Sequence, residues 1–100
     1  MKLNLGCGNK KKSGFLGVDA FPCEAAEILC DLTKPLPFPP SSVEEIWMDN
    51  VIEHIQDISA LMREIHRISQ NNASITLITP HFASADPPPL ERYFHYSGSI

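Results

Sequence analysis

A Gly-x-Gly turn and the carboxylate that ends a second apolar segment constrain the fold of this chain most strongly. Residues 3–8 read Leu-Asn-Leu-Gly-Cys-Gly, and residues 17–19 read Gly-Val-Asp. An apolar run entering a Gly-x-Gly turn, followed by an apolar run ending on an acid, is typical of α/β proteins with a nucleoside site at the carboxyl ends of parallel strands. Glycine lets the backbone approach a ligand, and the acid can accept hydrogen bonds from ribose. An isolated Gly-x-Gly, however, equally fits a plain strand-to-loop turn.

Length and composition limit the classes of protein that remain. With 100 residues, of which 43% are hydrophobic and 20% charged, the chain is expected to form a single globular domain over residues 1–100. No apolar run approaches the length of a membrane span, and the start of the chain lacks the apolar core of a signal peptide. We therefore expect a cytoplasmic protein that does not enter a membrane.

Charge and cysteine content exclude further classes. A net charge of −4 argues against nucleic-acid binding, and Lys10–Lys12 forms either a solvated loop or an anion-binding segment. Cys7, Cys23 and Cys30 are odd in number and include no Cys-x-x-Cys pair. We expect reduced thiols and no metal site; a zinc site that pairs them with a histidine is the alternative.

Hydrophobic patterning predicts five strands and one helix. The strand segments are short, apolar and bounded by Gly, Pro, Asn or Asp, as in buried parallel sheets. They are Lys2–Leu5, Phe15–Val18, Glu27–Cys30, Glu44–Met48 and Ser74–Thr79, and the helix is Ile58–Ser69. Residues 80–100 contain no periodic element, and Trp47, within a strand, is expected in the core.

The helix carries the clearest boundary signals. Asp57 precedes it as an N-cap residue, and Asn71-Asn72 can adopt the left-handed conformation that ends a helix. A stripe at three- and four-residue spacing predicts the buried face. Its members are Ile58, Leu61, Ile65 and Ile68.

The connection between the first two strands is unusually short. Only residues 6–14 join them, whereas a parallel crossover normally needs about a dozen residues or more. Spacing alone would permit a hairpin. The carboxylate at Asp19 favours the parallel arrangement, because it belongs at the same sheet edge as the glycine turn.

The order of motifs resembles that of class I S-adenosylmethionine-dependent methyltransferases. The motifs are LNLGCGN, GVDAF, CDLTKPLPFP, DNVIEHI and LMREIHRISQNNASITLITP. They are similar to a subgroup of small methyltransferases in which the first crossover helix is very short. The likeness covers roughly residues 1–80. It implies a Rossmann-like α/β fold with a mostly parallel sheet of about five strands and few helices, in which the last two strands of the family are missing.

This resemblance assigns the adenosine part of the cofactor to three positions. Asp19 would bind the ribose hydroxyls, Asp31 would accept from the adenine amino group, and the backbone of Leu32 would lie beside the ring. Asp31 alone is equally explained as a turn residue before Pro35.

The methionine part of the cofactor would lie on the glycine turn. Gly6, Cys7 and Gly8 would pass beneath it, while Asp49 and Asn50 would face it and the substrate entrance. These last two residues could equally cap the segment that follows. Asn4 stands where the family often has an acid, which weakens one polar anchor near the cofactor's amino group.

The function implied by the resemblance is methyl transfer to a small-molecule acceptor. His54, from a Glu-His pair common in the family, and His81, directly after the last predicted strand, are candidate proton acceptors. A non-catalytic cofactor-binding subunit or remnant that acts through oligomerisation is the alternative. A dinucleotide-dependent oxidoreductase is disfavoured, because Lys11 stands where its fingerprint needs glycine.

In a five-stranded sheet, the outer edge of the last strand would also have no partner. The segment Ser74–Thr79 carries little charge, and such an edge tends to pair with another chain. We therefore expect either a homo-oligomer, joined through this edge or an open sheet face, or a fragment of a longer protein.

Overall fold

Short parallel strands define the architecture. The computed structural model describes residues 1–81 and 90–98, with side chains for residues 1–52 and 54–78. The elements are β1 (Lys2–Leu5), β2 (Leu16–Asp19), β3 (Ile28–Leu29), β4 (Val43–Asp49), a 3-10 turn (Ile52–His54), α1 (Ile58–Ile68), β5 (Ser69–His81) and β6 (Leu90–Gly98).

The sheet has the order β3-β2-β1-β4-β5-β6. Strands β1 to β5 are parallel, with Leu3 opposite Leu16 and opposite Ile46, whereas β6 runs antiparallel to β5. The parallel pairing of β1 with β2 excludes the hairpin that spacing alone permitted. The prediction of a Rossmann-like, mostly parallel sheet is confirmed.

The β1–β2 crossover is achieved without a helix. The amides of Gly6 and Cys7 both donate to the carbonyl of Val18, at 2.7 and 3.1 Å, so the chain turns back directly over the end of β2. The buried side chain of Asn4 then donates to the carbonyl of Lys10 at 2.9 Å and holds the loop against the sheet. Residues 6–15, all described, form hydrogen-bonded turns but no α-helix or 3-10 helix, so the very short crossover helix implied by the resemblance is absent.

One face of the sheet carries the core. Helix α1 buries Leu61, Ile65 and Ile68 against apolar residues of β1, β2 and β4. Ile58 was expected in this stripe but is 40% exposed, since it occupies the first helical position at the edge of the sheet. The helix ends at Ile68, one residue earlier than predicted.

The predicted helix start is confirmed and the predicted stop is not. Asp57 Oδ1 accepts from the amide of Ala60 at 3.0 Å, which satisfies one free N–H of the first turn. Asn72 does adopt a positive φ of 64°, but it lies inside β5, which begins at Ser69. There it accommodates the irregular register between the Val43–Ser69 and Glu45–Ser74 pairs.

The opposite face of the sheet is covered by the crossover loop. Asn4 and Trp47 are register partners on this face. Trp47 is half-buried rather than a core residue, because the ammonium of Lys12, 3.9 Å from the centroid of its ring, covers it instead of a helix.

Strand β6 lies where the sequence predicted no element. It pairs with β5 from Ala73–Gly98 to His81–Leu90, so β5 is not the free edge on which one route to oligomers was based. The aromatic residues of 90–98 favour a strand, but the run of prolines before them masks this signal. Association through an open sheet face stays a prediction.

Within the described parts of the chain, no helix has both the length and the apolar character needed to cross a membrane.

Substitution of Gly17 tests how tightly the connection between β2 and β3 packs on the sheet. A Cβ on Gly17 would lie 1.9 Å from the carbonyl oxygen of Ala25, a backbone atom that cannot swing away. We expect Gly17→Ala to lower the free energy of unfolding by about 3 kcal/mol or more in urea denaturation. Gly14→Ala is the control: its site is open, and only the φ of +84° is strained, which costs about 1 kcal/mol. Equal losses for both variants would contradict this packing.

Candidate functional site

The glycine turn after β1 requires glycine for two reasons. Gly6 and Gly8 have φ values of +70° and +55°, in the left-handed region that residues with a side chain rarely adopt. In addition, a Cβ on Gly6 would lie 2.4 Å from Val51 Cγ2, in the segment after β4. The turn therefore lets the ends of β1 and β4 approach closely.

Asp19 connects the glycine turn to the end of β2. Its Oδ2 accepts from the amide of Gly8 at 2.8 Å, and its Oδ1 accepts from the amide of Phe21 at 3.2 Å. A carboxylate offers about four acceptor positions, so some remain for further donors. The two amides fix the orientation in which those positions are presented.

Asp31 forms a tight turn after β3. Its Oδ1 accepts from the side-chain hydroxyl of Thr33 at 2.6 Å and from the Thr33 amide at 2.9 Å. These bonds favour the ionised form and hold the pKa of Asp31 below its ordinary value. The amide of Cys30 donates to the carbonyl of Asp19 at 2.8 Å, which brings the two acidic turns side by side.

The end of β4 contributes two buried acceptors. Asn50 has a φ of +59°, and its backbone amide donates to the carbonyl of Ile78 at 2.7 Å. Asn50 Oδ1 and Asp49 Oδ1 are buried and have no hydrogen-bond partner among the described residues. Asp49 Oδ2 lies 3.5 Å from the Lys10 ammonium.

One cavity of about 410 Å³ brings most of these positions together at the carboxyl ends of the strands. Of the residues singled out from the sequence, those lining it are Gly6, Asp19, Asp31, Leu32, Asn50 and His54. The exposed His54 belongs to the 3-10 turn that follows β4. The glycine turn and the acid at the end of β2, together with the residues that the family resemblance implied, thus line a single cavity.

Other predicted residues lie elsewhere. Asn4, Cys7 and Asp49 line a smaller cavity of about 210 Å³ beside Lys10–Lys12. Gly8 lines neither cavity and acts through its bond to Asp19. The structure describes only the backbone of His81, so its candidate role as a proton acceptor lies outside the described side chains.

Sequence reasoning missed several apolar residues of the cavity wall. They include Phe21, Val51 and Ile55. Phe21 is 72% exposed at the cavity, two residues after Asp19. An aromatic residue two positions after the strand-ending acid was the available signal, because an exposed ring offers an apolar surface to a ligand.

The thiol of Cys7 in the glycine turn is not reactive. Burial, and then the negative charge of Asp19, raise its pKa above the ordinary value for cysteine, so the thiol is protonated at neutral pH. No cluster of three or more potential metal ligands occurs among the side chains that the structure describes.

A larger cavity of about 500 Å³ lies against the crossover loop and is lined by residues such as Asn4, Lys11, Phe15 and Glu27. It does not include Asp19, Asp31 or Asn50. In parallel α/β sheets ligands bind outside the carboxyl ends of the strands, so the 410 Å³ cavity is the better candidate despite its smaller size.

The order and pairing of the strands define a Rossmann-like α/β domain. The family model of the methyltransferase domain matches residues 3–77, and the chain belongs to this family. The resemblance to class I methyltransferases is thereby confirmed. No curated protein matches the chain.

Solved structures of methyltransferases share the fold. An S-adenosylmethionine-dependent methyltransferase from Mesorhizobium loti matches with a TM-score of 0.64 and 22% identity, over 80% of this chain and 46% of its own. A methyltransferase from Aquifex aeolicus matches with a TM-score of 0.66 and 16% identity, over 88% of this chain and 61% of its own. Phosphoethanolamine N-methyltransferase 2 from Haemonchus contortus matches with a TM-score of 0.68 and 20% identity, over 87% of this chain and 26% of its own. That structure is a complex with phosphomonomethylethanolamine and S-adenosylhomocysteine. The chain thus spans less than two thirds of the length of each.

The Asp31 turn yields a test by titration. Thr33→Val removes the hydroxyl donor and keeps the amide, so we expect the pKa of Asp31 to rise toward its ordinary value, as measured by NMR titration of the carboxyl carbon. Because the pKa of Asp31 is lower in the folded than in the unfolded chain, ionised Asp31 stabilises the fold at pH values above its unfolded-state pKa. This contribution to the free energy of unfolding is lost as the pH falls through the folded-state pKa. Lys34→Gln, which removes only a weaker charge interaction, should shift the pKa less. A larger shift for Lys34→Gln would refute this ranking.

Proposed function

We propose that this chain binds S-adenosylmethionine in the 410 Å³ cavity and transfers its methyl group to a small-molecule acceptor. Membership of the methyltransferase domain family supports the proposal. The observation that carries it is the convergence of Asp19, Asp31 and Asn50 on one cavity at the carboxyl ends of three strands.

The residues at the adenosine end fit the cofactor. The cavity volume is within the range of about 300–1,000 Å³ that is usual for small-molecule sites. Asp19 offers its remaining acceptor positions to the ribose hydroxyls, and Asp31 offers a carboxylate to the adenine amino group. Leu32 and the exposed ring of Phe21 provide apolar surface for the base.

The residues at the methionine end fit as well. The buried Asn50 Oδ1 lacks a donor among the described residues, and a buried acceptor left unpaired costs about 1–3 kcal/mol. The ammonium group of the cofactor is a donor of the kind that this oxygen needs. Gly6 lines the same cavity with its backbone.

When bound, the cofactor supplies a methyl group already activated on a sulfonium. The protein therefore has to align an acceptor and exclude water, and positioning of this kind supplies much of a rate enhancement. Exposed His54, in the cavity lining, is our candidate to take the proton of a hydroxyl or carboxylic acid acceptor.

Titration calorimetry with S-adenosylhomocysteine tests the cofactor site. We expect the wild-type chain to bind and Asp19→Ala to bind about tenfold or more weakly, because hydrogen bonds to a charged acceptor are worth about 1.5–3 kcal/mol. Glu24→Gln is the matched control, since this carboxylate lies on the same loop and outside the cavity lining. A folded wild-type chain that does not bind, or an Asp19→Ala variant with unchanged affinity, refutes the proposal.

The role of Phe21 is tested in the same assay. Base–aromatic stacking is worth about 1–3 kcal/mol, so Phe21→Ala should weaken S-adenosylhomocysteine about tenfold. The melting temperature should change little, because the ring is 72% exposed. Leu29→Ala, another exposed apolar residue that does not line the cavity, should leave the affinity unchanged. Equal effects of the two variants would show that the ring does not contact the base.

A further inference from the structure

We propose that Glu64 and Arg67 of α1 are positioning residues for the adenine side of the cofactor cavity. This inference rests on the proposed function. The two side chains, called here the Glu64–Arg67 clamp, hold the proline-rich segment 34–40 on the helix. They thereby set the place of the Asp31–Thr33 turn, which lines the cavity.

The proline-rich segment cannot hold itself in place. Pro35, Pro37, Pro39 and Pro40 have no amide hydrogen, so the segment cannot pair as a strand. It must nevertheless run from the site at the end of β3 back to the start of β4, with Leu36 and Phe38 buried in the core. The Phe38 amide donates to the Leu36 carbonyl at 2.8 Å within the segment, whereas the Leu36 amide and the Phe38 carbonyl need partners from outside it.

The clamp supplies those partners. Glu64 Oε1 accepts from the amide of Leu36 at 2.7 Å. Arg67 donates to the carbonyl of Leu36 at 2.8 Å and to that of Phe38 at 2.9 Å. Both backbone polar groups of Leu36 are thus held by one helix.

The clamp is itself rigid. Arg67 Nε and Nη2 donate to the two carboxylate oxygens of Glu64, at 3.0 and 2.8 Å, one helical turn apart. These bonds lower the pKa of Glu64, so the residue is a carboxylate at neutral pH and can accept the Leu36 amide. The planar guanidinium contacts three acceptor groups at once, a geometry that lysine cannot reproduce.

The clamp lies close to the cavity along the chain and in space. Leu32 is buried in the same core cluster as Leu36 and also lines the cofactor cavity. The amide of Lys34 donates to the carbonyl of Asp31 at 3.1 Å, so the held segment continues directly into the acidic turn. Glu64 and Thr33 both line one small cavity, together with residues of the turn and of the helix. A displacement at Leu36 therefore reaches the residues assigned to adenine.

Three variants separate positioning from general stability. Arg67→Met keeps the aliphatic stem and removes the donors. Arg63→Met is the matched control, an exposed arginine on the same helix. Ile65→Val is the stability control, because it destabilises the core of α1 without touching the clamp. S-adenosylhomocysteine affinity is measured by calorimetry at a temperature where every variant is fully folded, and amide exchange is followed by NMR in the ligand-free protein.

We expect Arg67→Met to weaken binding about five- to tenfold and to accelerate exchange of the Leu36 and Thr33 amides, with wild-type affinity for both controls. Unchanged affinity in Arg67→Met, or an equal loss in Ile65→Val, overturns the proposal. If Arg67→Met does not fold, Arg67→Lys, with fewer donors, should give a smaller loss in the same direction; wild-type affinity overturns the proposal.

The exchange measurement does not depend on the cofactor. If the wild-type chain fails to bind S-adenosylhomocysteine, the proposed function fails. Faster exchange at Thr33 in Arg67→Met, relative to both controls, would still support the mechanical link from the clamp to the turn. Unchanged exchange at Thr33 would refute that link.

Discussion

The fold depends on the short connection between β1 and β2, which pair in parallel although only residues 6–15 join them. Without room for a helix, the chain folds back at the glycine turn, where Gly6 and Cys7 donate to one carbonyl, that of Val18. The Gly8 amide then binds the Asp19 carboxylate at 2.8 Å. The same few bonds close the crossover and orient the acid at the end of β2. Fold and candidate cofactor site therefore share one set of interactions, and a change that loosens the crossover also moves the acid.

The short crossover also makes the two sheet faces unequal. One face is packed by α1 and by the proline-rich segment, and it holds the buried core. The other face is covered by the loop of residues 6–15, which Asn4 and the Lys12–Trp47 contact hold down, and by the segment around Ala25, which packs on Gly17. A parallel sheet is ordinarily covered by helices on both faces. Helix α1 therefore has two roles: it buries the core, and through Glu64 and Arg67 it holds the segment next to the acidic turn after β3.

Local signals predicted the elements well where each was decided by neighbouring residues. The strand β1 has the predicted bounds, and Asp57 caps α1 because capping involves only the next three residues. The misses depend on distant partners. Strand β6 exists through its pairing with β5, and Asn72 uses its left-handed conformation within β5 rather than at the helix end. Trp47 lies on the face without a helix, which its apolar strand did not reveal.

The sequence by itself determined the parallel α/β class and singled out Asp19, because a glycine turn and a strand-ending acid act over a few residues. Its resemblance to class I methyltransferases added Asp31 and Asn50. Only the tertiary structure decided that Asn4, Cys7 and Asp49 line a separate small cavity, that Phe21 and Val51 join the main one, and that Arg67 holds the carbonyl of Leu36. Those relations join residues far apart in the chain, and they follow from the register of the sheet and the placement of α1 rather than from any local pattern.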